Sequence, residues 1–473
     1  PGLSQGCIET LKEHGTAAQQ KMFLHNLVGG SWTGTMCLTE PHCGSDLGML
    51  KCKAEPNADG SYSLTGTKIF ISAGEHDMSE NIVHIVIARL PDAPSGTKGI
   101  SLFVVPKFNA GSEGEKLDRN AVSCGSIEHK MGIKGSATCV INFDGAKGYL
   151  VGTENRGLNC MFTFMNTARI GTGLEGLSAS EAAFQGALAY AKDRLQFRAM
   201  TGVKNPDGPA DPIINHPDVR RMLLTQKAFA EGNRALAIYA MKLVDITQAS
   251  QDVDAKKLAE SKLALLTPIV KAFLTETAQE STSYGMQVFG GHGFIAEWGM
   301  EQLARDTRIC TMYEGTTGIQ AIDLLARKVV GSNGKLLSIF TDEVKEYCKS
   351  IRDKSQFNAW SNSIDKHCDE WHQITEDIMQ RAAKSPAELG AASVDYLMYS
   401  GYVVVGYFWL KMAVVAQQKL DDGTGDPEFY KAKLHTAKFY FDRLLTRTRS
   451  LVSAMESGAD NLMNMEEEQF NIV

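Results

Sequence analysis

From Gly157 onward the apolar positions recur at helical spacing. Leu174, Leu177, Phe184, Leu188, Ala191 and Leu195 fall on one face, with Glu181 and Lys192 off it. The same reading predicts helices over 216–250, 254–290 and 316–330, divided by Gly/Pro/Asp segments such as Gly202–Pro212. Amphipathic stretches continue over 335–355, 363–384 and 427–456. Before Gly157 the texture differs. Residues 1–30 read as helix, with a capping box at Thr16 and Gln19 and a stop signal at Gly29-Gly30. From Trp32 to Gly152, short β-branched and aromatic runs (Thr65–Ser72, Asn81–Leu90, Gly99–Pro106, Thr138–Phe143) are broken by Gly, Pro, Asn and Asp, which predicts strands. Asp59-Gly60 marks a hairpin turn between Lys51–Glu55 and Tyr62–Thr65.

The pattern implies an α+β, multidomain chain: a helical end piece (1–31), a β domain (32–152), a helical bundle (153–330) and a further helical region (331–473). A length of 473 residues suits about three domains, and 43% hydrophobic with 22% charged residues excludes a disordered chain. The net charge of −7 argues against nucleic acid as a partner, since no basic excess is present. Ten scattered cysteines lack C-x-x-C spacing and the eleven histidines lack H-E-x-x-H, so no metal is expected, and free thiols suit a reducing compartment. Tyr396–Ala416 is long enough to span a bilayer, but Lys411, Gly401 and Gly406 interrupt it. A buried bundle helix accounts for it, so no transmembrane segment is expected. The chain opens on Pro1 rather than Met, and we expect that most of a preceding helical domain is missing, which would hide any targeting segment.

Several motifs bear on chemistry. Gly171-Thr172-Gly173-Leu174-Glu175-Gly176 matches G-x-G-x-x-G, yet the preceding Phe164–Ile170 contains Asn166 and Arg169 and is no buried strand. Close helix packing explains these glycines better than a nicotinamide site. In Met36–Asp46, Gly44-Ser45-Asp46 is either a plain turn, with Glu40 a solvated carboxylate, or a loop offering N–H groups and hydroxyls to a polar cofactor. Phe70-Ile71-Ser72 is either an ordinary strand or an aromatic face and hydroxyl set against a flat ring. The glycines of Gln287–Phe294 either cap a helix or bring N–H groups to a phosphate. Glu314, ahead of Gly315 at a helix start, either complements the helix dipole or serves as a general base.

In this order and with these flanking folds, the segments resemble the acyl-CoA dehydrogenase family over residues 1–330. Glu128–Ile133 with Ser136–Thr138, Gly152–Leu158, Met165–Arg169 and Arg194–Phe197 extend the resemblance. Within the family, 31–46, 66–78, 128–138 and the long C-terminal region most resemble the 3-methylmercaptopropionyl-CoA dehydrogenase branch. The resemblance implies a central β-barrel-like domain between helical parts, with FAD held between the β domain and the bundle of a neighbouring subunit in a homodimer or tetramer. Met36, Leu38, Thr39 and Ser45 would line the flavin and pyrophosphate, and Phe70 and Ser72 would pack on and hydrogen-bond the isoalloxazine. Arg194, Gln196, Phe197 and Gln287 to Gly291, including Gly290, would reach the partner's FAD, and Thr316 to Gly318 would close the loop beyond the base. Ser45, Asn166, Arg169 and Gly315 would contact the substrate. Cys43, Met49, Asn166 and Gly318 depart from the commonest family residues at those positions.

The implied reaction is α,β-dehydrogenation of an acyl-CoA, short-chain or 3-methylmercaptopropionyl in type. Glu314 would remove the α-proton while the β-hydride passes to flavin N5. Two hydrogen bonds would steady the developing enolate, one of them from the Glu314 N–H, and burial would raise the carboxyl pKa. Electrons would pass to an electron-transfer flavoprotein. An acyl-CoA oxidase reaction and a catalytically silent scaffold are the competing readings, and docking of 331–473 on a membrane or partner is a third. The expected location is the bacterial cytoplasm, with the mitochondrial matrix as the alternative.

Overall fold

The computed structural model describes residues 2–471. The chain divides into two compact units that meet in sequence at Gly171 and Thr172. The first opens with α1 (Gly2–His14) and α2 (Ala17–Gly29). Gln19 N donates to Thr16 Oγ1 at 3.2 Å and Thr16 N to Gln19 Oε1 at 3.0 Å, completing the capping box, and Gly30 ends α2 at φ 80°. Nine strands follow: β1 (Trp32–Cys37), β2 (Lys53–Pro56), β3 (Tyr62–Ser72), β4 (Asn81–Arg89), β5 (Ile100–Pro106), β6 (Phe108–Ala110), β7 (Lys116–Arg119), β8 (Val122–Ile127) and β9 (Thr138–Val151). The β2–β3 hairpin turns through Asn57–Ser61, where Gly60 takes φ 80°.

The main sheet runs β1-β4-β2-β3-β9-β5, with β8 on β9 and β5 also paired to β4, while β6 and β7 form a separate ribbon. The strands curl toward closure, but β2 and β4 meet at one residue pair, Lys53 with Arg89. The domain is thus barrel-like, as expected, without being a closed barrel. Central strand β4 is apolar on both faces because both are covered. Val83, Ile85 and Ile87 pack toward Phe23 and Leu27 of α2, whereas Val86 and Ala88 join Leu64, Phe103 and Ile141.

Helix α3 (Gly157–Asp193) leads into the second unit, which contains α4 (Pro217–Ala249), α5 (Val253–Phe289), α6 (Gly291–Phe294), α7 (Met300–Arg308) and α8 (Thr317–Ile322). The helix widens to i→i+5 turns over Asp323–Val329, and then come α9 (Lys335–Ser350), α10 (Asn358–Ala382), α11 (Ala387–Asp421), α12 (Pro427–Phe439), α13 (Thr448–Glu456) and α14 (Asp460–Met463). Leu195 lies beyond the end of α3, not on its face as the periodicity predicts. It bridges to Pro212 instead, because Arg194 O accepts from Ile213 N at 2.9 Å and turns the chain back.

The glycines at 173 and 176 face α5. A Cβ at Gly173 would lie 2.8 Å from Val270 O, and one at Gly176 would lie 3.0 Å from Leu274 O. Helix α11 is the one helix among the described residues long and apolar enough to cross a membrane, and 78% of its apolar window is buried. It fills the middle of the unit's core: Gly401 lies against the Phe273 ring, and Trp409 Nε1 donates to Ala228 O at 3.1 Å. Within Tyr396–Ala416 only Val415 is exposed, so this run packs as a core helix of the unit.

In the first unit, one buried ion pair ties the loop after β1 to β3. Lys68 Nζ lies 2.8 Å from Glu40 Oε1 and 3.0 Å from Leu38 O, and Glu40 also accepts from the N–H groups of Lys51 and Cys52 at 2.7 and 3.0 Å. Both side chains are buried, so Glu40 is not the solvated carboxylate of the plain reading. Burial pushes the Glu40 pKa up, but the Lys68 charge and these hydrogen bonds outweigh it and hold the carboxyl below its ordinary value.

Two outcomes are expected. Lys68→Met leaves a buried carboxylate alone and should cost the first unit about 3–5 kcal/mol in urea unfolding. Because the folded-state pKa of Glu40 is depressed, the pair's contribution is complete above the ordinary glutamate range and is lost as pH falls through the lower folded value. The wild-type–variant difference should therefore shrink in acid. Gly173→Ala should destabilise the second unit by about 1–3 kcal/mol, whereas Gly171→Ala, which meets nothing within 4 Å, should be neutral or stabilising in thermal unfolding.

Candidate active site

Three clusters of side chains carry the predicted site. In the first unit, Met36 lies near the end of β1, with Leu38 and Thr39 just beyond it. Ile69 N donates to Thr39 O at 2.9 Å and Lys68 holds Leu38 O, so this segment is strapped to β3. There β3 bulges between Lys68 and Ile71, and Phe70 adopts φ 60° with its side chain 61% exposed. Ser72 follows on the same strand opposite Thr138, and Ala73 N donates to Ala137 O at 2.7 Å. The structure thus brings Met36, Leu38, Thr39, Phe70 and Ser72 to one end of β1 and β3. Ser45 lies on the exposed turn past the Glu40–Cys43 bridge. Asn166 and Arg169 sit one helical turn apart on α3, the first exposed and the second buried.

An exposed aromatic ring beside fixed hydroxyls and carbonyls fits a flat, polar-edged cofactor ring. Among the described residues, Glu40, His42 and Cys43 could hold a metal ion by proximity. However, Glu40 is already neutralised by Lys68, and burial followed by the neighbouring Glu40 charge pushes the Cys43 thiol up.

The second cluster lies at one end of the second unit. Arg194, Gln196 and Phe197 occupy the loop after α3, and Phe197 adopts φ 55° with 81% exposure. The loop is pinned by Asp211, whose buried carboxylate accepts from the N–H groups of Ala199, Lys204 and Asn205 at 2.8, 2.9 and 2.7 Å. Burial alone would raise its pKa, yet these three hydrogen bonds and Arg198 lower it to about 2. Gln287, Gly290 and Gly291, all exposed, end α5 beside this loop: Phe289 stacks on Tyr190 at 4.2 Å, and Tyr190 Oη lies 2.9 Å from His292 Nδ1.

The third cluster surrounds Glu314, which adopts φ 56° and is followed by Gly315 at φ 89°. Thr316 Oγ1 caps α8 by accepting from Ile319 N at 3.2 Å, and Gly318 is exposed in the first turn. Glu314 O accepts from Gln320 Nε2 at 3.0 Å, and Gly315 O from Lys271 Nζ at 2.7 Å. Tyr313 Oη donates to Glu175 and Thr317 Oγ1 to Glu276. Lys271 lies sixteen residues before Gln287 on α5, roughly 24 Å at the helical rise, so the second and third clusters sit well apart.

Among the described residues, eight non-glycine residues hold positive φ, and Phe70, Phe197 and Glu314 are three of them. Such a conformation costs about 1–3 kcal/mol in a bulky residue and persists where the surroundings impose it. Residue patterns did not single out Lys68, Asp211, Lys271, Glu276 or Gln320. The one available signal was a lone Lys271 inside the apolar run Leu265–Leu274.

Residues 35–146 match the acyl-CoA dehydrogenase middle domain, 155–329 the acyl-CoA dehydrogenase C-terminal domain, and 340–466 the acetyl-CoA dehydrogenase C-terminal-like domain. The chain is 43% identical to the 3-methylmercaptopropionyl-CoA dehydrogenase of Ruegeria pomeroyi, covering 98% of this chain and 78% of that one. It is 37% identical, with the same coverage of both chains, to a broad-specificity linear acyl-CoA dehydrogenase of Mycobacterium tuberculosis. An acyl-CoA dehydrogenase of Bacillus anthracis, solved in complex with FAD, shares the fold at TM-score 0.72 and 22% identity over 97% of this chain and 73% of that one. With these matches, the chain belongs to the acyl-CoA dehydrogenase family.

Proposed function

We propose that this protein carries out FAD-dependent α,β-dehydrogenation of an acyl-CoA thioester, with Glu314 as the base that takes the α-proton. The observation that carries the assignment of roles is the shared left-handed backbone of Phe70, Phe197 and Glu314, three positions that the family resemblance independently selects. FAD, when bound, supplies the acceptor for the β-hydride. Phe70, Ser72, Met36, Leu38 and Thr39 would hold its ring, with Ser45 beside them.

A thioester α-proton is weakly acidic, so the base must be aimed as well as ionised. Glu314 meets the first need through its tied turn, in which the carbonyls of 314 and 315 are each held by a side chain. Thr316 and Gly318 continue that turn into α8. Gly315, Asn166 and Arg169 are the proposed substrate contacts, the last two for the CoA portion. Arg194, Gln196, Phe197, Gln287, Gly290 and Gly291 lie too far along α5 from the base to serve the same reacting atoms. We assign them to the FAD of a second copy, which makes the working protein a homodimer or a pair of dimers. The exposed Phe197 and Phe294 at that end suit burial against another subunit. The proposed substrate is a short or 3-methylmercaptopropionyl-type acyl-CoA, the electron acceptor an electron-transfer flavoprotein, and the location the cytoplasm.

Three measurements test this reading. Glu314→Gln should keep FAD bound while anaerobic bleaching by short acyl-CoAs slows by about 1,000-fold or more. A wild-type bleaching rate would refute Glu314 as base. Arg194→Ala should lose FAD affinity by about tenfold, as expected for one charged contact to a diphosphate. In mixed dimers, one subunit carrying Arg194→Ala and the other Glu314→Gln, assayed at an FAD concentration that leaves Arg194→Ala sites empty, one site regains both native residues, so about half of wild-type activity should return. No recovery would place Arg194 in its own subunit's site.

A further inference from the structure

We propose that Lys271 is the positioning residue for the catalytic base. The inference rests on the assignment of Glu314 made above. Lys271 lies near the middle of α5, its side chain is fully buried, and its Nζ donates to Gly315 O at 2.7 Å. An ammonium group withdrawn from water must be compensated by hydrogen bonds or opposite charge, and one of those bonds here reaches the turn that carries the base. What it holds is the second residue of a doubly left-handed turn, Glu314 at φ 56° and Gly315 at φ 89°. Neither residue would keep that backbone without an outside restraint, because the left-handed form of a glutamate is disfavoured and glycine is free to leave it.

Each neighbouring restraint bears on a different point of the turn. Gln320 holds the carbonyl of Glu314 from α8, Thr317 reaches Glu276 one turn further along α5, and Tyr313 reaches Glu175 on α3. A Cβ at Gly315 would lie 2.5 Å from Gln320 Nε2, so the Gln320 amide sits directly against this residue. Lys271 is a charged donor to this turn, and it joins the turn to the buried middle of α5. Its effect on the reaction is to fix the direction in which the Glu314 side chain leaves the backbone. It does not exchange a proton with the substrate.

The test uses the FAD-loaded, full-length chain. Lys271→Met keeps the length and removes the donor. The limiting rate of flavin reduction should fall by about 10- to 100-fold, the loss expected from a misaimed base. Acyl-CoA affinity should change far less than the limiting rate, and FAD content should stay within about threefold of wild type. Hydrogen exchange should accelerate at the amides of 313–319 and stay unchanged along α5, a readout that does not depend on turnover. Lys271→Arg, which keeps charge and donors, should recover most of the rate. A limiting rate within threefold of wild type, with native exchange at 313–319, would overturn the proposal.

If the Met variant fails to fold, Lys271→Gln carries the same comparison with the same criteria. The two readings fail separately. A Glu314→Gln enzyme that still bleaches removes the base assignment, whereas a slow Glu314→Gln with a normal Lys271→Met removes only the positioning role.

Discussion

The site in the helical unit depends on the close approach of α3 and α5. Gly173 and Gly176 let the two backbones come within a distance at which any side chain would collide with Val270 O or Leu274 O. With α5 seated this closely, Glu175 of α3 and Lys271 and Glu276 of α5 converge on a single loop, residues 313–317. A wider spacing would separate these anchors by the width of a side chain, and the turn carrying Glu314 would lose opposing restraints. The glycine pattern that mimics a dinucleotide fingerprint is thus a packing device, and its consequence is the geometry of the base.

Strain and restraint are paired at each of the left-handed site residues. Phe70 sits on a bulge whose flanks are tied by Lys68 to Leu38 O and by Ile69 N to Thr39 O. Phe197 sits in a loop pinned by the buried carboxylate of Asp211, and Glu314 in one pinned by Lys271 and Gln320. In every case a buried polar or charged group holds backbone and takes no part in the chemistry. Such groups are costly to bury, and a fold that needed only stability would do as well with apolar replacements. Their presence beside residues in left-handed backbone fits a site built to a fixed geometry.

Much of this was legible in the sequence. The capping box at Thr16, the strand runs of β3, β4, β5 and β9, and the long helices α4 and α5 follow from periodicity and punctuation. Leu195 was misread because a helical face extrapolates past the point where the chain turns back, and that turn is set by hydrogen bonds from 211 and 213 that no local pattern encodes. Glu40 reads as a surface carboxylate because its partner, Lys68, comes from another strand. How far the barrel-like sheet closes was hidden: that depends on register between strands distant in sequence, and β2 and β4 share a single pair here. Motif residues such as Glu314 and Phe70 could be found by type and order. The residues that hold them could not, since a lysine in an apolar helix announces burial but not its acceptor.

The helices after residue 331 belong to the same argument. Helix α11 lays Gly401 on the ring of Phe273 and sends Trp409 to Ala228 O, and Tyr402 packs edge-on against Phe273 at 5.0 Å. Arg447 grips Glu280 of α5 through both guanidinium nitrogens at 2.7 Å, while Glu343 on α9 joins Tyr239 of α4, Lys262 of α5 and Tyr407 of α11. The face of α5 turned away from the Glu314 loop is thereby sealed from water along its middle. That sealing matters on the other face too, because a hydrogen bond from a buried ammonium is strong only while the helix carrying it neither frays nor admits solvent. An α5 open on one side would let water compete for Lys271 and Gly315 O. The C-terminal helices therefore bury the middle of α5, the helix that carries Lys271.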